Sequence, residues 1–127
     1  MKVLIVDDKQ DITCMLSEFL KAKGIENIVA NDPIVGLDLI KKENFDVILL
    51  DISMPEFSGI DIIHTLERER RLKDQKIIIF SAVAFTDMEI QNLLHKDGVW
   101  GCLKKPIDLG RLYAAITNKE FLILPKN

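Results

Sequence analysis

The chain lacks any apolar run long enough to cross a bilayer or to serve as a secretory leader, since the opening MKVLIVDD turns to charge after a few residues. A cytoplasmic protein with no membrane association is therefore expected. Cysteine is scarce: Cys14 and Cys102 share no metal-type or redox-type spacing, and both read as small buried thiols. Basic charge is not in excess, with 17 Lys and Arg against 20 Asp and Glu for a net −3, which argues against a nucleic-acid binder. One cluster leans basic, ERERRLK at Glu67–Lys73, but acids interrupt it and it reads as a solvated helix end. Neither G-x-x-x-x-G-K-[ST] nor G-x-G-x-x-G occurs, so nucleotide binding has little support. There is no repeat, low-complexity tract or linker. The 127 residues are expected to form one domain, 1–127, large enough for a real core.

Five short apolar segments punctuate the chain: KVLIV (Lys2–Val6), ENIVA (Glu26–Ala30), DVILL (Asp46–Leu50), KIIIF (Lys76–Phe80) and VWGCL (Val99–Leu103). Three of them are continuous apolar runs, which suit parallel strands covered on both faces. Helical stripes fall between them. Ile12, Met15, Leu16, Phe19 and Leu20 line the first; Ile34, Leu37 and Ile40 the second; Ile60, Ile63 and Leu66 the third. Thr86-Asp87-Met88-Glu89 has the capping-box pattern for a fourth helix. Asp108 can cap a fifth, carrying Leu109, Leu112, Tyr113 and Ile116. Five alternations of strand and helix imply an α/β fold, a doubly wound five-stranded parallel sheet in three layers. The final FLILPKN leaves the stripe of the fifth helix, so 119–127 is expected to fold back or meet a partner.

The polar residues gather where the strands end. Asp7-Asp8 follows the first strand, Asp51 the third, Ser81 the fourth and Lys104-Lys105-Pro106 the fifth. Each alone reads as a turn former or helix cap. In an open parallel sheet, however, all carboxyl ends lie on one edge, where ligands bind. Three carboxylates there repel one another unless a cation intervenes, and an all-oxygen site beside phosphate suits Mg²⁺. With a lysine and a hydroxyl, the set fits phosphoryl transfer, in which a carboxylate can be the nucleophile. Asp51, central in the sheet, is the candidate.

With VDD ending the first strand, DISMPEFSG after the third, SA after the fourth and KKP after the fifth, the chain resembles the receiver domain of two-component response regulators over nearly its whole length. The resemblance implies the flavodoxin-like strand order 2-1-3-4-5. It implies that Asp51 accepts phosphate from a histidine kinase or a histidine phosphotransfer protein, so that the chain is a signalling phosphoacceptor rather than a conventional enzyme. It further implies that Asp8 and Asp51 hold Mg²⁺, with Asp7 helping through water and Ser53 through its carbonyl. Lys105 would pair with the phosphate, Lys104 being a solvated neighbour, and Ser81 would act as the switch hydroxyl. Pro55 and Gly59 would shape the adjoining loop. Ser53 and Val83 occupy positions that in the family border the attacking water, and neither is an acid or amide, so slow hydrolysis is expected.

One departure stands out: Cys102 occupies a position where the family usually has Tyr or Phe. Alternation along the fifth strand would put Trp100 and Cys102 on the same side, leaving Trp100 either to replace the missing aromatic or to serve as fixed packing. A phosphate-independent pseudo-receiver would usually lack an acidic residue or the lysine, and all are present. A haloacid-dehalogenase-type phosphatase would want an aspartate where Ser53 stands. With no room for an output domain, the chain should act alone, as a relay between histidine proteins or by docking to a downstream protein target.

Overall fold

The computed structural model describes residues 1–82 and 87–118. Strands β1 (Lys2–Val6), β2 (Glu26–Ala30), β3 (Val47–Asp51), β4 (Ile77–Ser81) and β5 (Val99–Lys104) alternate with helices α1 (Gln10–Ala22), α2 (Pro33–Lys42), α3 (Gly59–Arg68), α4 (Met88–Leu94) and α5 (Leu109–Thr117). All strand pairs are parallel and the order is β2-β1-β3-β4-β5. The fold is therefore the expected flavodoxin-like doubly wound sheet in three layers.

Side chains alternate across the pleat and build two cores. Leu4, Val6, Ile48, Leu50, Ile77 and Ile79 face one way, against Leu37, Ile40, Ile62, Leu66, Ile90 and Leu93 of α2, α3 and α4. Val3, Ile5, Val47, Leu49, Ile78 and Phe80 face the other, against Leu16 and Leu20 of α1 and Leu112, Ala115 and Ile116 of α5. Relative to the apolar runs, β3 and β4 begin and end one residue later, because the ladder continues past them: Asp51 pairs with Phe80, and Ile52 N–H donates to the Phe80 carbonyl at 3.2 Å. Asp51 and Ser81 are thus the last residues of their strands rather than the first of their loops.

Several local expectations need correction. The buried stripe of α1 is Thr13, Leu16 and Leu20, leaving Met15 exposed. In α2 the buried face is Gly36, Leu37 and Ile40, and Ile34 lies roughly 110° of arc from its centre at about 100° per residue. Ile34 is accordingly exposed. Helix α4 is capped by Asp87, whose Oδ1 accepts from the amides of Glu89 at 2.9 Å and Ile90 at 3.2 Å; Thr86 lies outside the described residues. The capping box occurs instead at α3, where Ser58 and Asp61 exchange bonds. Cys14 is exposed on α1, whereas Cys102 is buried as expected and burial pushes its thiol up to about 12. Tyr113 sits at the surface of the α1–α5 seam, edge-on to Phe19, with Lys23 over both rings.

Trp100 and Cys102 lie on opposite sides of the sheet. Ile77 pairs with Val99 but Ile78 pairs with Gly101, so a bulge takes up Trp100 and shifts the alternation by one. Trp100 packs with the α1–α5 core and Cys102 in the α2–α3–α4 core. Repacking of the indole into space beside Cys102 is therefore excluded by the register.

Helix α3 ends in a Schellman turn. The Arg71 amide reaches back to the Leu66 carbonyl at 2.8 Å and the Arg70 amide to that of Glu67 at 3.0 Å, which places Arg70 at φ 60°. A residue with a Cβ is disfavoured there by about 1 kcal/mol, and exposed Arg70 has little packing to offset it. Arg70→Gly is expected to raise the urea unfolding midpoint, stabilising the chain by about 0.5–1 kcal/mol.

Candidate functional site

The end of β1 delivers Asp7 and Asp8, the end of β3 delivers Asp51, and the residue after β5 is Lys105, which precedes a cis Pro106. Carboxylate oxygens of Asp7, Asp8 and Asp51 all lie within 4.8 Å of one another. Lys105 Nζ stands 3.4 Å from Asp7 Oδ2 and 3.3 Å from Asp51 Oδ1. Its backbone amide donates to the Ser81 carbonyl at 2.8 Å, tying the lysine to the end of β4. Asp7, Asp51 and Ser81 are buried; Asp8 is partly exposed; Lys104 points to solvent. The structure thus brings together Asp7, Asp8, Asp51 and Lys105, residues up to 98 positions apart.

The local chain explains these placements. Asp51 Oδ1 accepts from the Ser53 amide at 3.0 Å, an Asx turn that bends the loop as β3 ends. The Ser53 side chain is exposed. Gly59, the first residue of α3, lies so close that a Cβ there would come within 2.3 Å of the Asp51 carbonyl oxygen and 2.8 Å of the Ile52 Cα. Helix α3 can therefore rest on the backbone of Asp51 only through a glycine. Val83 lies outside the described residues.

The electrostatics suit a divalent cation. Three carboxylates and one ammonium leave a formal charge of −2, which a divalent cation would neutralise. Two buried carboxylate oxygens, Asp8 Oδ1 and Asp51 Oδ2, have no hydrogen-bond partner. Orphaned anionic oxygens of this kind are costly to bury, and a hard cation with oxygen ligands satisfies them. The residues fit Mg²⁺.

Burial pushes the Asp7 carboxyl above its ordinary 3.8, and neighbouring Asp51 adds to this, while the Lys9 amide and Lys105 oppose it. With a folded value above the unfolded one, the stabilising contribution is fully present below 3.8 and is lost as pH rises through the folded value. At neutral pH the charged Asp7 thus costs the fold. In EDTA, Asp7→Asn is expected to raise the urea midpoint at neutral pH, with the gain shrinking as the pH falls toward 3.8.

Sequence reasoning missed Asn31. It follows β2 and donates from Nδ2 to the Asp7 carbonyl at 2.9 Å and to Thr13 Oγ1 at 2.8 Å. An asparagine after a strand reads as a turn former, and no local signal marks it as a partner of a residue 24 positions away.

No helix among the described residues is long and apolar enough to cross a membrane. Residues 3–117 match the family model of the response regulator receiver domain. Sporulation initiation phosphotransferase F of Bacillus subtilis (strain 168) is 28% identical over 126 residues, covering 99% of this chain and 97% of that protein. The transcriptional regulatory protein CpxR of Escherichia coli (strain K12) is 38% identical over 81 residues, covering 64% of this chain and 33% of that protein. The chain therefore spans nearly the whole of one relative but only part of the other. The Francisella response regulator 1452 receiver domain superposes with a TM-score of 0.80 at 32% identity, covering 91% of this chain and 93% of that chain. On the family match and the five-stranded parallel sheet together, the chain belongs to the receiver domains of two-component response regulators.

Proposed function

We propose that the chain receives a phosphoryl group on Asp51 from a histidine kinase or histidine phosphotransfer protein and hands on the signal by docking to a protein target or by relaying the phosphate. The carrying observation is Asp51 itself, fully buried, 3.3 Å from Lys105 Nζ and within 4.8 Å of two further carboxylates. An isolated buried carboxylate would be a liability; one framed by an ammonium and by carboxylates able to share a cation is arranged for reaction.

Asp8, Asp51 and the Ser53 carbonyl would hold Mg²⁺, with Asp7 assisting through water. When bound, the ion neutralises the carboxylates and draws in the oxygens of the incoming phosphoryl group. A carboxylate oxygen of Asp51 attacks phosphorus, the phosphorus–nitrogen bond to the donor imidazole breaks, and an acyl phosphate forms. The donor nitrogen carries away the electron pair and is reprotonated from water. Lys105 offsets the charge on the transferred group, and the Ser81 hydroxyl supplies a donor to it. The chain's own residues would thus promote both phosphorylation and its reversal. Residues 1–127 would act as one receiver unit in the cytoplasm. The match along nearly the full length of a sporulation phosphotransferase favours the relay role.

Incubation with acetyl phosphate tests this by intact mass. One phosphoryl group per chain is expected with Mg²⁺ and none with EDTA. Equal uptake under both conditions would remove the cation from the reading.

A further inference from the structure

Among the described residues, five polar or charged side chains are buried: Asp7, Thr13, Asp51, Thr65 and Ser81. Three belong to the site, and Thr65 bonds back to its own helix at the Asp61 carbonyl, 2.8 Å away. Thr13 remains to be explained. It occupies the buried stripe of α1 where an apolar side chain would ordinarily sit. Its hydroxyl donates to the Gln10 carbonyl at 3.2 Å and accepts from Asn31 Nδ2 at 2.8 Å.

The other Asn31 amide hydrogen goes to the carbonyl of Asp7 at 2.9 Å. Here the β1–β2 ladder runs out. Its last backbone bond is Asp7 N–H to the Ala30 carbonyl at 3.2 Å, and the chain then turns into α2 at its N-cap Asp32. The side-chain amide of Asn31 takes the place of the next backbone donor and extends the ladder by one bond, anchored from behind by Thr13.

That bond acts on Asp8. The Asp7 carbonyl and the Asp8 amide share one rigid peptide plane, so holding the carbonyl fixes where the Asp8 nitrogen and Cα lie, the base from which its side chain reaches the site. The Asp8 carboxylate has little else to orient it: Oδ1 has no hydrogen-bond partner, and the exposed Lys9 Nζ is 4.0 Å away. We propose that Asn31, braced by Thr13, is a positioning residue for the cation site, aiming Asp8 through the Asp7–Asp8 peptide. The inference rests on the functional reading above. Partners that orient metal ligands typically carry a tenfold or greater share of metal affinity.

Isothermal titration of the whole chain with Mg²⁺ is the test. Asn31→Leu, close in size but without the donor, should weaken Mg²⁺ binding about tenfold. Thr13→Val keeps the bond to Asp7 but removes its brace, and should weaken binding measurably but by a smaller factor than Asn31→Leu does. With Mg²⁺ raised well above each variant's Kd, phosphorylation by acetyl phosphate should return to within about twofold of the unsubstituted chain, an affinity defect rather than a chemical one. An unchanged Kd for Asn31→Leu overturns the proposal, including when its melting temperature falls, as does a rate that stays low at saturating Mg²⁺. If Asn31→Leu does not fold, Thr13→Val decides by the same criteria. An unsubstituted chain that binds no Mg²⁺ would overturn the functional reading instead.

Discussion

Asp51→Asn should take up no phosphoryl group under conditions in which the unsubstituted chain acquires one. The substitution is nearly isosteric, and its carbonyl oxygen can still accept from the Ser53 amide that Asp51 Oδ1 meets at 3.0 Å. The loop after β3 therefore has no reason to rearrange. The chemistry is what disappears, because a neutral amide oxygen is a far weaker nucleophile than a carboxylate at a centre already carrying negative charge. Stability should not fall, since one of three crowded carboxylates has lost its charge while the two cores are untouched. Loss of labelling with an equal or higher melting temperature would isolate the chemical role. Labelling at the unsubstituted level would place the acceptor elsewhere.

Gly59→Ala is expected to damage the fold and the site together. The added methyl would lie 2.3 Å from the Asp51 carbonyl oxygen, 2.8 Å from the Ile52 Cα and 3.0 Å from the Asp51 carbonyl carbon. These are all backbone atoms, so no side-chain rotation relieves the overlap. Either α3 lifts from the sheet, disturbing Ile62, Ile63 and Leu66 in the core, or the end of β3 shifts. Overpacking of this kind costs about 1–3 kcal/mol, and rigid neighbours put this position toward the upper end. Displacing the acceptor by about 1 Å should also slow phosphorylation by about 10²-fold. Urea unfolding and initial labelling rates read the two effects separately. An unchanged midpoint and rate would mean that α3 does not rest on Asp51 as described.

Much of this protein is determined locally and was legible as such. Strands β1 and β2 fall on the expected segments residue for residue. β1 is apolar from Val3 to Val6 because a strand buried on both faces must be, whereas β2, at the sheet edge, is buried only at Ala30. Five strands alternating with helices leave few ways to bury both faces, and a parallel sheet then puts every strand's carboxyl end on one edge. The meeting of Asp7, Asp8, Asp51 and Lys105 follows from that rule, although single-residue patterns treat each as a turn former. Other features depended on groups that only the folded chain brings together. The bulge that sends Trp100 and Cys102 to opposite cores arises from pairing with Ile77 and Ile78, and β5 by itself shows only regular alternation. That Thr13 rather than Met15 faces inward follows from the way α1 lies on the sheet with Leu16 and Leu20, and there its hydroxyl meets Asn31 from a different strand end. Periodicity records which face of an element is apolar. Hydrogen bonds between elements record where polar atoms meet, and that is set by strand order and register across the sheet.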